Sequence, residues 1–270
     1  MSASMVRDHH IGMIVPSSNL TMETELPRML RAREDAEPGD RFVFHSARAR
    51  MRHVEPEQLR AMNAQAGRAA AELADARPDV VATACLVAIM AQGPGYHCTA
   101  EADITRVLRD EGCESPVVSS AGALLSGLGA LKARKVAIIT PYLKPLTKAV
   151  ADYIEDAGFE VVDALSLEVS DNLAVARLDP AGLREHHRRL NLSDVDALVL
   201  SACVQMPSLP SIQPVEDEVG IPVLSAATAT TFRILSELGV EPRVPGAGRL
   251  LSGAVARTKT GGGHGRESVV

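Results

Sequence analysis

Short apolar runs alternate with longer stretches of helical periodicity along most of the chain. The first run, Ile11 to Val15, ends in Pro-Ser-Ser-Asn, and a second, Phe42 to Phe44, is followed by a polar segment. From Pro56 to Asp75 the apolar positions Leu59, Met62, Ala66, Ala69 and Leu73 recur at spacings of 3 to 4, which predicts a helix. Asp79 to Ala84 reads as a buried strand stopping at Cys85. Glu101 to Glu111 reads as helix, Ser115 to Ser119 as strand and Ala121 to Leu131 as helix. The strand Lys135 to Thr140 follows, then a helix from Leu143 to Ala157 closed by Gly158, a residue suited to a helix C-cap. Phe159 to Leu165 reads as strand and Pro180 to Leu190 as a charged, exposed helix. Asp196 to Ser201 is a second buried strand, ending near Cys203. Ile221 to Ser225 reads as strand, and Ala227 to Leu238 as a helix closed by Gly239. Strand and helix alternate about eight times, which predicts an α/β fold of parallel sheets with right-handed crossovers.

The pattern also repeats. DVVATACLVAIM (79–90) aligns with DALVLSACVQMP (196–207), SPVVSSAGALLSGLGAL (115–131) with IPVLSAATATTFRILSEL (221–238), and IGMIVPSSN (11–19) with KVAIITPYL (135–143). The chain therefore reads as two pseudo-symmetric domains, each a parallel sheet flanked by helices, joined near Lys132 to Arg134. The expected bounds are 8–132, with room for a C-terminal segment to return to it, and 133–255. The last residues, 256–270, lack periodicity and read as a frayed tail. Ligands of open α/β sheets bind beyond the carboxyl ends of strands. Cys85 and Cys203 stand at equivalent ends, so the duplication aims them at one another across a cleft.

Composition narrows the chemistry. The chain has 270 residues, 46% hydrophobic, but only 3% are aromatic and none is Trp. Its core must be built from Ala, Val, Leu and Ile, and the stacking platforms used to hold single-stranded nucleic acid are scarce. The net charge is -6 and the pI about 5.8, which argues against tracking a phosphate backbone and gives no long-range pull on an anion. No apolar leader opens the chain and no run approaches the ~18–20 apolar residues of a membrane span. We expect a soluble cytoplasmic protein whose four cysteines, Cys85, Cys98, Cys113 and Cys203, stay as thiols.

One buried cysteine after a strand is more often a small core residue than a nucleophile. Two at matched positions carry more weight. Each also precedes an expected helix start, where free N–H groups and the helix dipole lower a thiol pKa. The amides of Leu86, Val87, Val204 and Gln205, just after the cysteines, could cradle an anion. Cys98 reads as incidental and Cys113 as surface or packing. GPGYH (93–97) reads as a loop near the first cysteine, a candidate lid with His97 structural. His186 and His187 read as solvated, as does the helix face RMLRARED (28–35). No His-x-x-x-His or Cys-x-x-Cys pairing suggests a metal, Gly127-Leu-Gly129 lies inside a helix pattern, and no Walker loop occurs.

Five segments carry a resemblance: IVPSSNLTMETELPRM (14–29), ACLVAIMAQGPGYH (84–97), TPYLKPL (140–146), SDNLAVARLDP (170–180) and LSACVQMPSLPSIQPVEDEVGIPVLSAATATTFRIL (200–235). In this order, over nearly the whole chain, they resemble the maleate cis-trans isomerases of the aspartate/glutamate racemase superfamily. The resemblance implies cofactor-independent conversion of maleate to fumarate, carried out in the family by a homodimer. Cys85 thiolate would add to the alkene, the C2–C3 bond would turn, and Cys203 would supply or remove a proton before Cys85 is expelled. It also implies that Asn19, Tyr142 and Asn172 hold the substrate carboxylates as neutral donors. The plainer readings are an N-cap for Asn19, strand-end packing for Tyr142 and a turn for Asn172. Pro16 and Ser17 would shape the first loop, and Thr83 and Ser201, just before the cysteines, read equally as support or strand packing. Three other activities compete: an amino-acid or hydantoin racemase using the thiols as acid and base, a decarboxylase-like or ectoine-catabolism relative, and a non-catalytic dicarboxylate sensor. The decarboxylases keep only the second cysteine, so Cys85 disfavours them, and binding alone would need neither thiol.

Overall fold

In a parallel sheet covered on both faces, central strands must be largely apolar, and two of the central strands here, Val80–Thr83 and Ala197–Ser201, are buried from end to end. The computed structural model, which describes residues 6–257, places them at equivalent points of two sheets. The first half runs β1 (Arg7–Pro16), α1 (Met22–Ala36), β2 (Asp40–Ala49), α2 (Pro56–Ala64), α3 (Ala66–Ala74), β3 (Val80–Thr83), α4 (Leu86–Met90), α5 (Tyr96–Asp110), β4 (Val117–Ser119) and α6 (Ser120–Ala130). The second half runs β5 (Lys135–Thr140), α7 (Lys144–Asp156), β6 (Glu160–Ser166), α8 (Asn172–Val175), α9 (Leu183–His186), β7 (Ala197–Ser201), α10 (Leu209–Val219), β8 (Val223–Ser225) and α11 (Ala226–Glu237). Both sheets are four-stranded and parallel, in the orders β2-β1-β3-β4 and β6-β5-β7-β8. The α/β class expected from the pattern is the one observed, and the shared strand order is what a duplication leaves behind.

The halves meet along α6 and α11. Ser119 caps α6 through the Gly122 amide, and Ser225 caps α11 through the Thr228 amide. The helices approach closely: a Cβ on Gly127 would lie 3.1 Å from Leu250 Cδ2 and 3.4 Å from Ala229 Cβ. Gly127 is thus a packing feature, whereas a Cβ on Gly129 would meet nothing within 4 Å. Helix α11 is buried from Ala226 to Ser236, and its hydroxyls satisfy themselves on their own helix. Thr230 donates to the Ala226 carbonyl at 2.7 Å, Thr231 to Ala227 at 3.1 Å and Ser236 to Phe232 at 2.8 Å.

Several elements depart from the pattern. The helix expected over 56–75 is two helices meeting at Gln65. There the Gln65 Oε1 accepts the Arg50 amide at 3.1 Å, and α2 packs on α4 while α3 packs on α5 and β2. GPGYH leads directly into α5, with Gly93 (φ 107) and Gly95 (φ 67) in left-handed backbone that glycine tolerates best, so the glycines form the turn that starts the helix. Pro180 to Leu190 is a chain of short turns around α9 rather than one helix. His187 is buried, with Nε2 3.5 Å from Glu218 Oε1, not solvated. Arg33 leaves the solvated face expected for α1, bonding the Glu241 carbonyl at 3.2 Å and lying 3.3 Å from Asp40. Helix α10 was not expected at all, since it carries Pro210 and Pro214. Pro214 has no N–H to give its own helix. The Pro210 carbonyl instead accepts Arg184 Nη2 at 3.3 Å. Of the expected tail, residues 258–270 lie outside the described residues.

Phe232 is the largest fully buried side chain and sits in the joining helix. Phe232→Ala should cost about 3–5 kcal/mol, read as a lower urea midpoint in equilibrium unfolding.

Candidate active site

Three strands of each sheet deliver residues to one pocket. From the first half, the end of β1 brings Pro16 and Asn19, the segment after β2 brings Met51 and Val54, and the end of β3 brings Cys85 and Val87. From the second, the end of β5 brings Tyr142, the segment after β6 brings Asn172, and the end of β7 brings Cys203, Val204 and Gln205. The cavity between these atoms is about 10 Å³, room for about one water molecule, so the pocket is closed tightly around the two thiols. A larger cleft of about 470 Å³, flanked by Arg60 and Tyr96, is lined by neither thiol, so chemistry rather than size picks the site. Leu86 does not line the pocket. Its side chain is fully buried in the core, leaving its amide at the start of α4.

The two sulfurs are held differently. Cys85 is the N-cap residue of α4 and is 8% exposed, with the amides of Ala88 and Val87 bonding its sulfur. Cys203, 5% exposed, sits in a turn with no helix directly after it. Ser201 Oγ braces that turn by donating to the Cys203 carbonyl at 2.9 Å. The Gln205 amide donates to the Cys203 sulfur at 3.3 Å. The Tyr142 hydroxyl bonds the same sulfur and lies 3.4 Å from the Ala202 carbonyl. Thr83 is buried in β3, its hydroxyl 3.1 Å from the Ala84 carbonyl.

The lowered thiol pKa expected from helix starts is not what this setting produces. Burial pushes the Cys85 thiol up to about 12, the nearby Cys203 sulfur adds to the rise, and the two amides only partly offset it. Burial also raises Cys203, against the hydrogen bonds from Tyr142, Gln205 and Met206. Burial and both sulfurs drive the Tyr142 phenol well above its ordinary value. Removing charge from water outweighs a few well-placed donors.

The polar side chains divide their bonds. Asn19 Oδ1 accepts the amides of Thr21 and Met22 at 2.9 and 2.8 Å, starting α1. Its Nδ2 has no hydrogen-bond partner among the described residues and remains free to donate. Asn172 Nδ2 donates to Ser18 Oγ at 2.7 Å. His97 is held at the junction of the halves, Nδ1 to the Tyr153 hydroxyl at 2.6 Å, outside this pocket. Among the described residues no cluster of His, Cys, Asp or Glu is placed to hold a metal, and no described helix is long and apolar enough to cross a membrane. Met51 and Val54 escaped the sequence reading. The rule that sheet ligands gather at strand carboxyl ends would have pointed to the segment after β2.

A family model described as arylmalonate decarboxylase matches residues 11–251. The maleate isomerase of Alcaligenes faecalis is 58% identical over 248 residues, 92% of this chain and 98% of its own. The chain belongs to the maleate isomerase family. A variant of the Pseudomonas putida maleate isomerase, solved with maleate, superposes with a TM-score of 0.91 at 51% identity, covering 92% of this chain and 99% of that one. A Nocardia farcinica maleate cis-trans isomerase mutant with a covalently bound succinylcysteine intermediate superposes at 0.88 with 50% identity, covering 91% and 99%. The family and the fold inferred from the sequence are the ones found.

For a maleate isomerase of this geometry, a thiol raised from 9.0 to about 12 stays protonated through neutral pH. Alkylation of Cys85 in the ligand-free protein should keep accelerating above pH 9.0, read by peptide mass spectrometry against iodoacetamide. The sign for stability follows: the folded state favours the proton, so stability present below 9.0 is lost as pH rises towards about 12. Cys85→Ser should flatten that loss.

Proposed function

We propose that this protein converts maleate to fumarate without a cofactor. The observation that carries the reading is the convergence of Cys85 and Cys203, from equivalent strand ends, on one small pocket in a chain that a maleate isomerase matches over 92% of its length. A covalent succinylcysteine in the Nocardia farcinica relative supports thiol addition.

Rotation about a carbon–carbon double bond is prohibitively slow, and rotation about a single bond is not. The Cys85 thiolate adds to one alkene carbon. The π pair moves onto the neighbouring carbon, which takes the proton of the Cys203 thiol. The new single bond turns. The Cys203 thiolate then removes a proton from that carbon, the pair re-forms the double bond, and the carbon–sulfur bond breaks to release Cys85 thiolate and fumarate. Protons and electrons return to their starting places. The burial that makes the thiolate scarce also makes it reactive, because thiolate nucleophilicity rises with pKa. Two thiolates beside a dianion would repel, so the pair titrates as a unit with one sulfur ionised at a time.

The carboxylates are held by neutral donors: the free Nδ2 of Asn19, the Tyr142 hydroxyl, and the amides following the cysteines, Leu86 and Val87 on one side, Val204 and Gln205 on the other. In this arrangement Asn172 reaches the substrate by exchanging its bond to Ser18. Neutral donors orient the anion without over-stabilising the ground state. The same reading places the protein in the cytoplasm as a homodimer.

The test is turnover of maleate followed by the alkene proton signals. Cys85→Ser and Cys203→Ser should each lower kcat by about 10²–10⁴-fold, the range for loss of a positioned proton donor or nucleophile. Cys203→Ser should leave a succinyl adduct on Cys85. Exchange of an amino acid's α-proton in D₂O, with maleate untouched, would identify a racemase instead. Tyr142→Phe should lower kcat and shift the alkaline limb of the pH–rate profile upwards, since Cys203, which enters as the thiol, loses the donor that stabilises its thiolate and so stays protonated to higher pH.

A further inference from the structure

Cys203 rides on a turn suspended from the other half of the molecule. Thr21 Oγ1 donates to the Gln205 carbonyl at 2.7 Å, and the Leu20 amide donates to Gln205 Oε1 at 2.9 Å. Glu25, buried in α1, accepts the Ser208 and Leu209 amides at 2.7 Å each, capping α10 from across the interface. Gln205 also reaches the opposite way: its Nε2 donates to the Ser18 carbonyl at 2.9 Å and to the Asn172 carbonyl at 3.0 Å. The carboxamide is 4% exposed and uses its acceptor and both donor hydrogens. Leucine would offer none of these bonds, and an ionised glutamate would face two carbonyl oxygens with no hydrogen to give. Meanwhile the Gln205 main-chain amide points at the Cys203 sulfur.

We propose that Gln205 is a positioning residue for the proton-transfer step. Its side chain ties Ser18 and Leu20, beside Asn19, and the Asn172 main chain to the turn bearing Cys203, so that the sulfur and the carboxylate donors keep one fixed relation. Gln205 acts through Cys203, and its side chain contributes nothing to the substrate directly. The turnover readout rests on the maleate reading above, whereas the thiol readout does not.

Gln205→Leu and Gln205→Glu separate this role from simple support. The leucine variant should lose about 10²-fold in kcat at every pH, the scale of a misplacement near 1 Å, with a smaller change in KM. The glutamate variant should match it at about pH 8 and recover towards wild type as pH falls to about 5.5, because burial raises the new carboxyl's pKa and its proton restores one donor. The diagnostic quantity is the ratio of variant to wild-type kcat, which rises on acidification for glutamate and stays flat for leucine. In a Cys85→Ser background, alkylation of Cys203 measured by peptide mass spectrometry should show the same pH-dependent difference between glutamate and wild type. If the wild type leaves maleate untouched while Cys203 alkylation shows this dependence, the positioning role stands and the substrate reading falls. If wild type turns maleate over while the glutamate ratio is flat and Cys203 alkylation is unchanged, the positioning role is overturned. A leucine variant within about twofold of wild-type kcat overturns it equally. Should the leucine variant fail to fold, the glutamate ratio decides alone.

Discussion

A sulfur buried beside a second buried sulfur resists ionisation, and the pocket is arranged around that resistance. Cys85 and Cys203 are each nearly closed off from solvent, and each raises the cost of charge on its neighbourhood. The donors around them are neutral: backbone amides, a phenol, carboxamides. A lysine or arginine among them would ease ionisation, but it would also grip a dicarboxylate ground state and lower the basicity that makes the thiolate an effective nucleophile. On the proposed reading, a closely packed pocket with a modest number of oriented dipoles keeps the thiolate rare but potent.

The sheets explain how such a pocket can be assembled from two halves. Each half sends the carboxyl ends of three strands to the site and keeps the fourth for the joint between halves. β4 and β8 lead straight into the capped helices α6 and α11, which pack on each other at glycine and alanine spacing. The rigid seam and the reactive cleft therefore lie on neighbouring strands, and little slack separates them. The turn at Cys203 is pinned further by Thr21 and Glu25, so two residues of the first half anchor the turn that carries a sulfur of the second.

Much of this was legible in the chain. Buried parallel strands are continuous apolar runs, so β3 and β7 announce themselves, and the repeat around Cys85 and Cys203 identifies the matched strand ends. Asn19, Tyr142 and Asn172 came forward only by family resemblance, since each has an ordinary structural explanation that the structure also displays: Asn19 does start α1. Local pattern failed where distant contacts decide. Two prolines hid α10, whose start is capped by Glu25 from 183 residues away. His187 looked solvated on a charged segment, yet it is buried against Glu218. The sign of the thiol shift was misjudged because a helix start is visible in sequence and the depth of burial is not. Gln205 is easily placed near the site by its neighbour Cys203, but nothing in the sequence shows that its carboxamide is spent on Ser18, Leu20 and Asn172.

The identical strand order of the two sheets has a consequence for origins. A half-length ancestor, pairing with its own copy along the counterpart of the α6–α11 seam, would already have set two equal thiols across one groove. Symmetry would have made them interchangeable. Joining the copies into one polypeptide freed each sulfur to acquire its own surroundings, a helix start for one and a borrowed turn for the other, so that a matched pair could divide its labour.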